Sequence, residues 1–122
     1  MIVADLDDAR AEVREAFDRY DAALVSNDIG VLDELFADDP RTIRFGAGEE
    51  LFGYDEIREF RSRRSGQGLA RTLERVEITP LSPEVVLANA VFRRDERVVR
   101  QSQVWMRLEP GWRVVSAHVS TR

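Results

Sequence analysis

Four apolar-rich segments in residues 70–121, joined by connections too short for anything but turns, constrain the fold most. They are "ARTLERVEIT" (70–79), "EVVLANAVFRR" (84–94), "RVVRQSQVWMRLE" (97–109) and "WRVVSAHVST" (112–121). Pro80 to Pro83, Asp95-Glu96 and Pro110-Gly111 separate them. Val, Thr, Phe and Trp favour strands, and Pro, Gly and Asp mark turns. Long strands on such short turns pair antiparallel with their sequence neighbours, because parallel pairing needs a long crossover. The segment at 84–94 makes a second demand. Val85, Leu87 and Val91 alternate with Val86, Ala88, Ala90 and Phe92, so both of its faces are apolar. A sheet with one wet face alternates more cleanly, so each face here needs a cover.

The first half supplies one cover. In "DLDDARAEVREAFDRYDAALVS" (5–26), Val13, Phe17, Tyr20 and Leu24 fall at i, i+4, i+7 and i+11, the apolar stripe of a long amphipathic helix. Asn27-Asp28 supplies a stop and a new cap. "IGVLDELFADD" reads as a short second helix with Val31, Leu32, Leu35 and Phe36 inward, ended by Pro40. "RTIRF" is a strand, and Gly46, Gly48 and Gly53 predict an irregular segment after it. "YDEIREFRSRR" is a third helix with Asp55 and Glu56 in its first turn and Arg61, Arg63 and Arg64 in its last, closed by Gly66. Helices first and a strand meander afterwards is an α+β pattern, and 122 residues suit one domain over 1–122. Three helices cover one face of the sheet. The other face predicts a homodimer packed sheet to sheet.

Composition removes several classes of function. There is no cysteine, hence no disulfide, thiolate metal site or cysteine nucleophile. All 18 basic residues are arginine, so Schiff-base chemistry on a lysine is excluded. The acidic N-terminus "MIVADLDDAR" is neither a secretory signal nor a transit peptide. No apolar run reaches the ~18–20 residues of a membrane span, so a cytoplasmic protein with no membrane partner is expected. Residues 1–60 carry 17 acids and 6 arginines, and residues 61–122 carry 6 acids and 12 arginines. Clustered arginine can neutralise phosphates. Yet the two halves of one small domain share the same solvent, and no nucleic-acid partner is expected.

Few residues are left for chemistry. His118 is the single histidine, and no carboxylate cluster with metal-ligand spacing surrounds it. Asp7-Asp8 and Asp38-Asp39 read as helix-end charge, and "GAG" at 46–48 lacks the lysine and helix of a nucleotide loop. What stands out is a set of polar residues in apolar settings. Tyr20, on the core face of the first helix, is either a buried tyrosine with a backbone partner or a site residue. Arg44, between Ile43 and Phe45, either faces solvent or enters a cavity to hold an anion. Asn89 and Gln103 read as buried hydrogen-bonding residues, His118 as a core histidine, and Trp105 and Trp112 as packing.

Taken together, "FDRYDAALVSNDIGVLDELFADDPRTIRFGAGEELFGYDEIREFRSRR", "LARTL", "RQSQVWMRL" and "GWRVVSAHVS" resemble the AtzH-like family. These proteins are close to HpxZ of oxalurate catabolism, within the SnoaL-like, nuclear-transport-factor-two-like superfamily. The resemblance runs from about Val13 to Ser120; "ERVEITPLSPEVVLANAVFRRDERV" is less distinctive. It implies a cone-shaped α+β fold, a curved antiparallel sheet around a long helix, and a dimer through the sheet. It also implies a pocket where a functional tyrosine and arginine meet, matched here by Tyr20 in "RYDAAL" and Arg44 in "RTIRFGA". The activity it implies is a decarboxylating amidohydrolase converting 1,3-dicarboxyurea to allophanate, in cyanuric acid or ureide catabolism. In that scheme Arg44 clamps a carboxylate of a small anionic substrate and Tyr20 delivers a proton. His118, Gln103 and Arg71 are the expected substrate-binding residues, and neither a metal nor an organic cofactor is called for. A related ureide or oxalurate enzyme, and a non-catalytic dimeric binding or accessory module, are the alternatives.

Overall fold

In the computed structural model, which describes residues 6–122, three helices precede the meander: α1 (Asp7–Ser26), α2 (Ile29–Leu35) and α3 (Tyr54–Arg63). Asp5, at the start of the predicted first helix, lies outside the described residues. Two short strands, β1 (Ile43–Phe45) and β2 (Glu50–Phe52), separate α2 from α3. The four long strands follow as β3 (Thr72–Ser82), β4 (Val85–Arg94), β5 (Arg97–Leu108) and β6 (Gly111–Thr121). All six form one sheet in the order β2-β1-β6-β5-β4-β3. Every pairing is antiparallel except β1 on β6, as the short turns require. Register shifts at Leu73/Arg75 and Pro80/Ser82 in the β3–β4 pair, and at Val104/Trp105 in β5–β6, add local twist. The sheet is curved, open and wrapped around α1.

The core lies between that concave face and the helices. Val13, Phe17, Tyr20 and Leu24 of α1 are buried against Val86, Ala88, Ala90 and Phe92 of β4 and Trp105 of β5. Phe17 and Phe92 stack with ring centroids 6.4 Å apart. Beside the β5–β6 turn, Glu12 accepts hydrogen bonds from Trp112 Nε1 at 2.8 Å and Arg107 Nη2 at 2.7 Å, tying α1 to β5 and β6. As its sequence predicts, α1 stops at Asn27 in a left-handed conformation (φ 55°), and the Asp28 side chain caps α2.

Three local expectations are corrected. Pro40 does not end α2, because Phe36 is already extended and bridges to Val114 of β6. The glycine-rich stretch after β1 is ordered as a hairpin. Gly46 N–H donates to Glu49 O at 2.9 Å, and β2 returns along β1. Strands of three residues are too short to register as a periodic pattern. Third, Arg64 is already extended (ψ 137°), so α3 ends before Gly66. Gly53, by contrast, is needed where it stands. Its φ of +95° starts α3, and a Cβ there would meet Pro40 O at 3.3 Å.

Both faces of β4 are apolar in the fold as well. Val85, Leu87 and Val91 lie on the convex face and stay half-exposed, since none of the described helices crosses that side.

Candidate functional site

The direction of Arg44 follows from register. β1 pairs in parallel with β6, placing Arg44 beside Ala117 and Phe45 beside His118. Residues side by side on paired strands share a face. Ala117 is buried, so Arg44 points inward and is 8% exposed. Ile43 and Phe45 face the other way, with Phe45 packing edge-on against Phe52 and His118. The guanidinium of Arg44 lies 5.5 Å from the Phe60 ring centroid and pairs with the Glu49 carboxylate across the hairpin.

Arg44 opens onto a cavity of ≈ 260 Å³ between the β1–β2 hairpin, the C-terminal end of α3, the segment before β3 and the β4–β5 turn. Among the described residues five arginines reach it, Arg44, Arg64, Arg71, Arg94 and Arg97, against a single acid, Glu49. Apolar side chains such as Leu24, Phe60, Leu69 and Val99 complete the wall. A groove of ≈ 360 Å³ along α3 is larger, but only Arg63 and Arg64 bring positive charge to it, against Glu56 and Glu59.

Two of the five arginines are neutralised by carboxylates. Arg44 has Glu49. Arg71 donates from Nε to Asp21 Oδ1 at 2.9 Å and from Nη1 to Gln101 Oε1 at 3.3 Å. Its Nη2 also lies 2.9 Å from Asp21, within ion-pair reach but off line for a hydrogen bond. The same guanidinium sits 3.5 Å from the centroid of Phe92, so Arg71 is held on three sides. Arg64, Arg94 and Arg97 form no salt bridge among the described residues.

Several buried polar atoms are left without partners among the described residues. They include Nε and Nη2 of Arg64, Nε of Arg94 and Nε2 of Gln101, all donors from cavity-lining residues. Buried donors are nearly always satisfied in folded proteins, and guanidinium nitrogens can only donate. The guanidiniums of Arg64 and Arg94 are thus partly enclosed without acceptors for these nitrogens. Electrostatics agree. Burial pulls the Arg64 guanidinium below the usual arginine range, Arg44 adds to the effect, and Tyr20 opposes it. Burial does the same to Arg94, with Arg71 and Arg97 adding and Tyr20 again opposing.

Arg44 and Arg71 are the predicted site residues that line the cavity. Tyr20 is 3% exposed, packs 6.2 Å from Phe36 and contributes nothing to the cavity wall. It stands behind that wall, within electrostatic range of Arg61, Arg64 and Arg94. The other two expectations are corrected. His118 is exposed on the convex face, because the inward positions of β6 are Ala117 and Val119. Gln103 does face inward at 2% exposure, but it lies one inward step beyond Gln101 and its Oε1 accepts from Trp105 Nε1 at 3.0 Å.

Arg64, Arg94, Arg97, Glu49 and Gln101 are site residues that the sequence reading passed over. Arg64 had a signal: Ile57, Phe60, Arg61 and Arg64 follow i, i+3, i+4, i+7 spacing, and Ile57 is fully buried. Arg61 lies on this stripe too, 2% exposed, bonded to Asp33 Oδ1 at 3.0 Å and stacked 4.1 Å from Phe36. Gln101 had the inward phase of Gln103. Arg94 and Arg97 flank a two-residue turn, where periodicity carries no information.

A family model described as AtzH-like matches residues 2–122. No curated protein matches. Among solved structures, a protein of unknown function of the DUF3225 family from Pectobacterium atrosepticum superposes with a TM-score of 0.92 at 45% identity, covering 94% of this chain and 91% of its own. A cystatin-like fold protein from Burkholderia xenovorans gives 0.88 at 37% identity, covering 93% and 92%. An NTF2-like superfamily protein from Salmonella enterica gives 0.74 at 25% identity, covering 93% and 91%.

Proposed function

This chain belongs to the AtzH-like family, and from that membership we propose that its arginine-lined cavity binds and decarboxylates a small carboxylated urea. Family and fold make it a small-molecule-binding or catalytic domain. One observation carries the finer reading: among the described residues five arginines line the cavity against one carboxylate, that of Glu49. A planar N-carboxylate offers acceptors in the plane that a guanidinium matches with two parallel hydrogen bonds.

With 1,3-dicarboxyurea as substrate, Arg44 exchanges Glu49 for one substrate carboxylate and fixes its plane. Tyr20, behind the wall, supplies a proton to the urea nitrogen through a bridging water. The bond between that nitrogen and the carboxylate carbon breaks, its electron pair stays on nitrogen, and CO2 leaves. The products are allophanate and CO2, and solvent reprotonates the phenol. Preorganised donors around a charged reacting group contribute strongly to such a step.

Incubating the purified protein with 1,3-dicarboxyurea and following CO2 and allophanate tests the reaction. We expect release well above background, and a fall of about two orders of magnitude in Arg44→Ala. No release above background defeats the proposal, as does an undiminished rate in the variant. A non-catalytic binding module is the second reading, favoured by the absence of Tyr20 from the cavity wall. Saturable binding of the same compound without turnover would establish it. Turnover of oxalurate in place of 1,3-dicarboxyurea would identify a related ureide enzyme.

A further inference from the structure

Arg44 and Arg71 each meet a carboxylate at the cavity, but the two carboxylates are held differently. Asp21 belongs to the long helix α1, and its partner Arg71 also has Gln101 and Phe92. Glu49 belongs to the turn between β1 and β2. The ladder of that hairpin closes with Phe45 opposite Glu50, so Glu49 lies just outside it. Its Oε1 pairs with Arg44 Nη1, and its Oε2 accepts from the Gly48 N–H at 3.2 Å. The carboxyl rests where Gly46 has no side chain. A Cβ added to Gly46 would overlap Oε1 and stand 2.6 Å from Cδ of Glu49, and its three nearest atoms all belong to that carboxyl group. Nothing lies within 4 Å of a Cβ placed on Gly48, so the turn borders open space into which the side chain can swing.

We propose that Glu49 is a built-in latch on Arg44: its carboxylate, seated over Gly46, occupies that guanidinium and must swing away before a ligand reaches it. The proposal rests on the cavity being the ligand site of the preceding section and adds a control on its affinity; it is independent of the reaction assigned there. Among the described residues Glu49 is the one carboxylate within ion-pair reach of Arg44. A nearly buried guanidinium stripped of its partner is costly, so the latch stays closed until another acceptor arrives. Every ligand that uses Arg44 therefore binds more weakly by the strength of the pairing it breaks. Gly46 is the second part of the device, because a side chain there evicts the carboxylate. Its backbone is not left-handed, so a Cβ is tolerated at this position and only the Glu49 side chain must give way.

Calorimetric titration with malonate, and modification by methylglyoxal, an arginine-selective dicarbonyl, test the latch without requiring turnover. Gly46→Ala and Glu49→Ala should each bind malonate about fivefold or more tightly than wild type. The double variant should match Glu49→Ala within about twofold, because Gly46→Ala acts only by evicting a carboxylate that is already gone. Arg44 should also react faster with methylglyoxal in both single variants, followed by mass spectrometry with the exposed Arg41 as internal reference. Thermal melting verifies folding, and if Gly46→Ala does not fold, Glu49→Ala decides. Unchanged Arg44 reactivity in the folded variants overturns the latch. So does wild-type malonate binding that fails to tighten, or gains that multiply in the double variant. Faster modification of Arg44 in variants that bind no malonate would uphold the latch and reject the cavity as a ligand site.

Discussion

At the residue scale, Glu49 holds the position that a ligand carboxylate needs. Its carboxylate folds back over Gly46, where an added Cβ would clash with it, and pairs with Arg44 inside the cavity. Glu49→Gln keeps the shape and a weaker hydrogen bond while removing the charge that competes for Arg44. Malonate binding should tighten several-fold, because charge-assisted hydrogen bonds are roughly twice as strong as neutral ones. Calorimetry would show it, and unchanged or weaker binding would mean that Glu49 orients Arg44 more than it competes with the ligand. The pairing was not legible in the sequence. Arg44 and Glu49 are five residues apart across glycines, and only the closed hairpin brings them together. Tyr20 shows the reverse case. Its place on the α1 stripe put it in the core, and its closeness to Arg61, Arg64 and Arg94 appeared only after α3 and β4 had packed around it.

At the element scale, the turn between α2 and β1 determines how the β1–β2 hairpin is presented to α3. Asp39 organises it. Its carboxylate accepts from Arg41 Nε and Nη2 at 3.0 Å and from the Arg41 N–H at 2.7 Å, while its backbone carbonyl accepts from Thr42 and Tyr54. The Arg41 side chain first, and then the Arg41 N–H, hold this carboxyl below the usual value of 3.8, at about 2. A carboxyl whose folded pKa is depressed stabilises the fold fully above its unfolded pKa and loses that contribution as pH falls through the folded one. The contribution of Asp39 is therefore complete above about pH 4 and lost between about pH 4 and 2. Because the group is exposed, the effect is small. In Asp39→Asn the loss of stability between pH 4.5 and 2 should be shallower than in wild type, measured by urea unfolding. Equal slopes would show that the ion pair adds nothing. In the sequence Asp38-Asp39 read as helix-end charge, and neither the bonds of Asp39 to Arg41 nor its carbonyl's link to Tyr54 was legible.

At the scale of the whole molecule, the uncovered convex face bears on assembly. Val85, Leu87 and Val91 stay half-exposed beside Val104 and Met106 of the neighbouring strand. We propose a second copy of this chain as their cover, giving a homodimer packed sheet to sheet. Sedimentation equilibrium should return twice the 14.0 kDa chain mass, and Leu87→Glu should return the monomer with its fold intact. A monomeric wild-type protein would refute the dimer. The sequence by itself determined the long helix, its buried stripe and the four-strand meander, because 3.6-residue and 2-residue periodicities are local and each is repeated over many residues. Only the tertiary structure decided which way Arg44 faces, since a three-residue strand acquires its inner side from its register with β6. It alone also gathered Arg44, Arg64, Arg71, Arg94 and Arg97 from five separate segments around one cavity. Each of these, read locally, is a polar residue near the end of an element. Their shared enclosure arises only when hairpin, helix and sheet close together.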